Sequence, residues 1–512
     1  MEKDTFRIGR RDFLKSAIGS GVILFSFPFL LDCAGEKKMK DKMLLELLSE
    51  KEFKKILEEA LSRGGDFAEI YLEHRIKTEI FLEEDKLKNV SYGVLFGAGV
   101  RVNSGEKTGY AFSDEISLEK VKRASQVASH IANSNKKLNP LPLKTEKVKP
   151  YFTLESPVSL MGDDEKINYL KRANQAARDY HRKIEQVKVE WYDEAKNIAI
   201  INSEGKKISD TQHLIRMAIF PLAIDGSKKF EGYATSGGKV NISYFDKYPP
   251  EKTGIEAARQ AVEMLSAADT PAGSLPVVVG NGWGGVLIHE AFGHSLEGDG
   301  IRKRTSLMAS QLNQKVASEV VTVIDDATIP YGRGSFNIDD EGTLGQNKVL
   351  VKNGILQGYL YDKLNAKLMK TNSTGNGRRE SYRHYPIPRM TNTYIKKGET
   401  DPEDIIKSVK NGVYAKKLGG GSVDHTTGNF NFLIREAYLI EDGKVTQPVK
   451  GAVLIGNGLE AVKKIELVGN DLRIDPTTGT CGKDGQSVFA GVGQPTVKFT
   501  EMTVGGTKIK KV

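Results

Sequence analysis

Apolar positions Met43, Leu44, Leu47, Leu48, Phe53, Ile56 and Leu57 recur at helical spacing, which predicts an amphipathic helix over 41–63, ended by Gly64-Gly65. Strand-like stretches follow at 67–73 and 78–82, then a hairpin turn at Asn103-Ser104-Gly105 and a helix over 118–133. The proline-punctuated segment 138–150 reads as a linker. A like order then returns. There is a helix over 165–182, strands at 187–192 and 199–201, a turn at Ser203-Glu204-Gly205, an apolar strand at 214–224 and a helix over 254–267. Elements recurring in that order hint at a divergent duplication.

After 269–273 the texture changes. Residues 275–280 read as a buried strand, and a helix follows the glycine-rich Gly280-Asn281-Gly282-Trp283-Gly284-Gly285. From 316 onward the chain is rich in glycine and strand-like runs, with Asn353-Gly354 and Asp442-Gly443 as hairpin turns. The expected fold is α+β. An N-terminal α/β region of helix-and-strand modules fills 41–270, and a β-rich C-terminal domain with one conspicuous helix fills 271–512. At 39% hydrophobic and 28% charged, the 512 residues exclude wholesale disorder and a polytopic membrane protein.

Residues 1–40 read as an address. Arg10-Arg11-Asp12-Phe13-Leu14-Lys15 precedes an apolar run over 16–31 and resembles a twin-arginine export signal. Cys33 after Leu30-Leu31-Asp32 partly matches a lipoprotein box, Asp32 departing from the small residue expected there, so a lipid anchor at Cys33 stays open. Export places the protein outside the cytoplasm, in the periplasm or on the far face of a membrane. Two cysteines rule out a disulfide framework, and with Cys33 cleaved away or acylated Cys481 is a lone thiol in an oxidising compartment. The net charge of +9 is mild and spread along the chain, so no nucleic-acid partner is expected.

The helix after Gly285 reads Val286-Leu287-Ile288-His289-Glu290-Ala291-Phe292-Gly293-His294. His-Glu on an apolar helix with a second histidine just beyond is zinc-hydrolase chemistry. Two imidazoles hold the metal, and the adjacent carboxylate takes a proton from its water. His289 and His294 are five positions apart, about 140° around an α-helix. Both reach one metal only if the helix widens locally or ends near Gly293, where distortion costs least.

A catalytic zinc takes three protein ligands. His74, His130, His181 and His213 read as surface-like helix or strand positions, and His384 and His425 as loop positions. Cys481, flanked by glycines, is the better third donor; its other reading is a small buried hydrophobe. Glu297 and Asp299 read either as acceptors for ligand N–H groups or as caps of the next loop. Arg378, Arg379, Arg383, His384 and Arg389 read as a grip for a peptide carboxylate, as loop salt bridges, or as a dimer contact.

These residues together resemble the TldD/PmbA family of metalloproteases, once called modulators of DNA gyrase, and its metal-bearing TldD-type members in particular. Residues 289–294 match the family's HExxxH motif, and Cys481 in Gly479-Thr480-Cys481-Gly482-Lys483 matches its distal cysteine. Blocks at 335–342, 377–384, 388–393, 456–458 and 491–496 agree in order. The resemblance covers about residue 41 to the C-terminus.

It implies zinc as cofactor, His289, His294 and Cys481 as ligands and Glu290 as general base toward a zinc-bound water. It further implies a peptidase for unfolded or extended polypeptides inside an enclosed dimer, either a homodimer or a heterodimer with a metal-free PmbA-like subunit. The alternative is a non-catalytic peptide-binding or scaffold subunit with a structural metal, against which Glu290 argues, because a structural site needs no base. The best-known members are cytoplasmic, and the export signal departs from them.

Overall fold

The computed structural model describes residues 43–132, 138–152, 154, 161–424 and 427–506. The export segment with Cys33, and His425, lie outside the described residues.

A short helical turn, Met43–Glu46, precedes helix α1, Glu50–Ala60. The single helix expected over 41–63 is broken at 47–49 because Ser49 and Glu52 form a capping box: Ser49 Oγ accepts from the Glu52 amide, and the Glu52 carboxylate accepts from the Ser49 amide at 2.7 Å. Next come three antiparallel strands, β1 (Phe67–Glu83), β2 (Lys86–Ser104) and β3 (Lys107–Ser113), and helix α2 (Leu118–Ser129). A second set follows: α3 (Asp163–Tyr180), β4 (Ile184–Asn202), β5 (Lys206–Asp225) and α4 (Pro250–Leu265). β1 pairs with β4, so both sets share one sheet ordered β3-β2-β1-β4-β5. The sequence reading split β1 and β4 into two strands each; both are continuous.

One face of this sheet carries all four helices. Leu72, Ala98 and Val100 pack under Phe53, Ile56 and Val121 of α1 and α2, while Ile80, Leu82, Val187 and Met217 pack under Leu170, Ala173 and Ala258 of α3 and α4. Gly254 lets α4 touch α3, since a Cβ there would lie 2.3 Å from the Ala173 carbonyl.

The opposite face is covered by the C-terminal half and is strongly ionised. Arg101 pairs with Glu69 at 3.0 Å and Glu341 at 2.7 Å, Arg379 pairs with Glu69, and Asp340 takes the Tyr71 hydroxyl at 3.1 Å and Lys196 at 3.4 Å. Each of these side chains is buried. Charges this deep persist because each meets a partner.

In the C-terminal half, strands Gly273–Val279, Asn411–Val423, Asn429–Glu441, Val453–Asn457 and Val497–Gly505 pair in a closed ring. A six-stranded sheet built on Val323–Asp326, Asn392–Ile395 and Gly491–Gln494 lies beside it. Helix α5, Val286–Ala291, is wedged between ring and sheet, with Leu287 and Ile288 in their common core. Both expected turns are present: Asn353-Gly354 and Asp442-Gly443 have positive φ at both residues, as a type I′ turn requires.

The ionised seam allows a stability prediction. Asp362 caps helix Lys363–Leu368, its Oδ1 accepting from the Asn365 amide at 2.9 Å. Burial, then the nearby Glu341 charge, pushes its carboxyl up to about 7. Between about pH 4, where the unfolded carboxyl ionises, and pH 7, the folded state keeps a proton the unfolded state has lost, so stability falls as pH rises. Asparagine caps equally well and has no such proton. Asp362→Asn is therefore expected to stabilise the protein by roughly 2–4 kcal/mol at pH 8 and by almost nothing at pH 4. Thermal unfolding of both proteins at the two pH values checks this; an equal effect at both would refute it.

Candidate metal centre

Glycines bring the start of α5 against the sheet. A Cβ on Gly285 would lie 2.4 Å from the Gly493 carbonyl oxygen, so only glycine lets the turn Gly282–Gly285 rest on strand Gly491–Gln494. The α-helix ends at Ala291. Phe292 leaves helical geometry with φ −129° and ψ −45°, and a tighter 3₁₀ turn, Gly293–Leu296, carries His294. This helix end, rather than a π-bulge, solves the spacing problem. The distortion sits on Phe292; a Cβ at 293 would lie 2.2 Å from the Met390 sulfur, so that buried side chain would have to move.

The two imidazoles meet edge to face with centroids 5.2 Å apart. Cys481 arrives on the hairpin Thr480–Lys483/Gln486–Phe489, whose tight turn uses positive φ at Asp484 and Gly485. One ligand atom each from His289, His294 and Cys481 falls within 4.8 Å of the other two, and Cys481 Sγ is 3.3 Å from His294 Nε2. Glu290 Oε2 lies 3.7 Å from the same Nε2, its side chain 28% exposed. A cavity of about 150 Å³ opens onto His289, Glu290 and Cys481, walled by Trp283, Phe432 and the run Gly419-Gly420-Gly421.

Burial opposes charge on the Cys481 thiol, yet His294 and His289 outweigh it and hold the thiol well below its usual range. Burial also opposes protonation of His294, which Glu297 and Cys481 outweigh, raising it well above the usual imidazole range. Nδ1 of His289 is buried without a hydrogen-bond partner. Two imidazoles and a thiol held toward its thiolate form, with one donor atom of each within 4.8 Å of the others, fit a zinc ion in number and in chemistry.

Glu297 turns its carboxylate to the His294 ring: its Oε2 sits 3.0 Å from His294 Nδ1, and the carboxyl is held far below the usual range, Lys483 and His294 overcoming burial. Asp299 instead binds Lys483 at 2.7 Å.

The arginine cluster is structural. Arg378 donates to the Met390 and Phe489 carbonyls at 2.7 and 2.6 Å, Arg379 is spent on Glu69 and Asp340, and Arg389 holds the Cys481 and Gln486 carbonyls. All three are buried, so a grip on substrate carboxylate is excluded for them; exposed Arg383 pairs with Asp114 at 3.0 Å. His74 is buried edge-on against Phe96 rather than at the surface.

The contacts that Lys483 and Arg389 make at the site, and the glycine run 419–421, are absent from the sequence-derived site. Only Lys483 left a signal, standing two residues after Cys481 on a strand and so on its face.

The C-terminal, central and first-domain models of the PmbA/TldA metallopeptidases match residues 272–506, 156–265 and 68–132. The chain is thus a metallopeptidase, a peptide-bond hydrolase. The metalloprotease TldD homolog of Buchnera aphidicola is 41% identical over 458 residues, covering 88% of this chain and 95% of that one. The zinc metalloprotease TldD homolog of Saccharolobus solfataricus is 27% identical over 454 residues, 88% of this chain and 99% of that one. The chain belongs to the TldD/PmbA family. The crystal structure of TldE from Thermococcus kodakarensis shares the fold, with TM-score 0.71 at 21% identity over 89% of this chain and 100% of that one.

Proposed function

We propose that the protein is an exported zinc peptidase that cuts unfolded or extended polypeptides, with His289, His294 and Cys481 holding the metal and Glu290 as general base. The observation that carries the reading is a carboxylate placed beside the donor cluster yet left open to the cavity: Glu290 reaches to 3.7 Å of His294 Nε2 while remaining 28% exposed. Zinc at these donors would make water nucleophilic near neutral pH and stabilise the oxyanion that develops on the scissile carbonyl. Glu290 accepts the proton of the attacking water and passes it to the leaving amine.

The cavity's glycine wall favours an extended main chain. Leu418 and Gly421 pair with Ile434 and Phe432, so Gly419 and Gly420 bulge out of the ladder, and nothing lies within 4 Å of a Cβ built on Gly420. A substrate backbone can approach there without meeting a side chain, in the manner of strand addition.

Two further elements complete the proposal. The Arg10-Arg11 segment directs export, and a second subunit, either another copy or a metal-free PmbA-like chain, closes over the cavity.

The test is digestion of a mixture of unfolded polypeptides, and of the same proteins folded, by purified zinc-loaded protein, with fragments read by mass spectrometry. Cleavage of the unfolded set alone, lost on chelation and restored by zinc, is the expected result. Protein that holds zinc and cuts nothing would sink the reading for this chain acting by itself.

A further inference from the structure

Lys483 lies two residues after Cys481 on the strand Thr480–Lys483, so both side chains leave the same face of that hairpin. An ammonium has three N–H donors, and three acceptors meet this one: Glu297 Oε2 at 2.9 Å, Asp299 Oδ1 at 2.7 Å and the Pro388 carbonyl at 3.3 Å. The same Glu297 oxygen accepts from His294 Nδ1 at 3.0 Å, and Glu297 is 2% exposed. Two consecutive hydrogen bonds therefore tie the Cys481 hairpin to the His294 ring, joining ligands 187 residues apart in sequence.

The consequence for the ring is definite. A carboxylate can only accept, so Nδ1 carries a proton, and Nε2, 3.3 Å from the thiol, is the nitrogen left to give a lone pair to a metal. Lys483 also stands between Glu297 and Asp299. Without its charge two carboxylates would repel across the gap, and Glu297 would be held toward His294 less firmly.

We infer that Lys483 and Glu297 are positioning residues acting as one unit: Lys483 orients the Glu297 carboxylate, and Glu297 orients the His294 ring toward the metal. This rests on the zinc reading above.

The test is zinc competition against a chromophoric chelator, using wild type, Lys483→Met, Glu297→Gln and the double variant, with apo-protein melting recorded in parallel. Loss of such ligand-orienting contacts typically weakens metal binding by about 10–100-fold, and each single variant should fall in that range. The double variant should be no weaker than Glu297→Gln alone, because Lys483 works through Glu297.

The cobalt-substituted single variants should share one altered visible spectrum. Glu297→Asp keeps the charge but shortens the reach to His294; it should weaken zinc as Gln does, and it serves if a neutral variant fails to fold. Unchanged zinc affinity in either single variant, or additive losses in the double, would overturn the inference. Wild-type protein that holds no zinc would instead remove the metal reading on which it stands.

Discussion

Replacing Glu290 by glutamine is expected to lower peptide cleavage by about 10²–10⁴-fold, the usual contribution of a positioned general base, while zinc content stays unchanged. Glutamine keeps the shape and polarity of the side chain but cannot accept the water's proton. Glu290 also stands apart from the ligand cluster, which comprises His289, His294 and Cys481. Its neighbour His289 is turned into the protein and 3% exposed, whereas the Glu290 side chain keeps 28% of its surface free. Successive helical residues point about 100° apart, which would let one turn of α5 supply both the proposed ligand and the proposed base. Metal analysis beside kcat/KM separates the roles. Retained cleavage would remove Glu290 as the base, and lost zinc would make it a ligand.

Cys481→Ala should have the second large effect, loss of zinc and, with it, of activity. Contacts one shell further out are worth about 10–100-fold in metal affinity, so removal of a ligand should exceed roughly 100-fold. The thiol is held ready for the role, since His294 and His289 draw it into the thiolate range against the cost of burial. Alanine fills nearly the same space among the core residues of the C-terminal half, so the apo protein should melt close to wild type. Zinc retained by the alanine variant through gel filtration would show that a different third donor completes the site.

Much of the site was legible because its residues are chemically conspicuous. His289-Glu290 on an apolar helix and an isolated thiol among glycines needed no tertiary knowledge. The ends of α3 match the expected 165–182 within two residues, because capping and periodicity are local signals. What could not be read were features set by distant partners. The strands expected at 67–73 and 78–82 leave out 74–77, yet Arg75 continues β1 to meet Glu73 at 2.7 Å and Glu194 at 3.6 Å beneath the C-terminal half. For Arg378, Arg379 and Arg389 the sequence leaves a carboxylate grip, loop salt bridges and a dimer contact all open. Their carbonyl and carboxylate partners come from Glu69, Asp340, Phe489 and Cys481, which no local pattern connects to them.

The ionised face of the N-terminal sheet bears on how the protein is made. Arg379 reaches Glu69 across 310 residues of chain. At about 5–20 residues per second, roughly 15–60 seconds of synthesis separate the two. For that interval Glu69, Glu73 and Arg101 are without the partners that the C-terminal half brings, and water can solvate them. An apolar face of that size would invite association with other nascent chains, whereas a row of ions stays hydrated until its cover arrives.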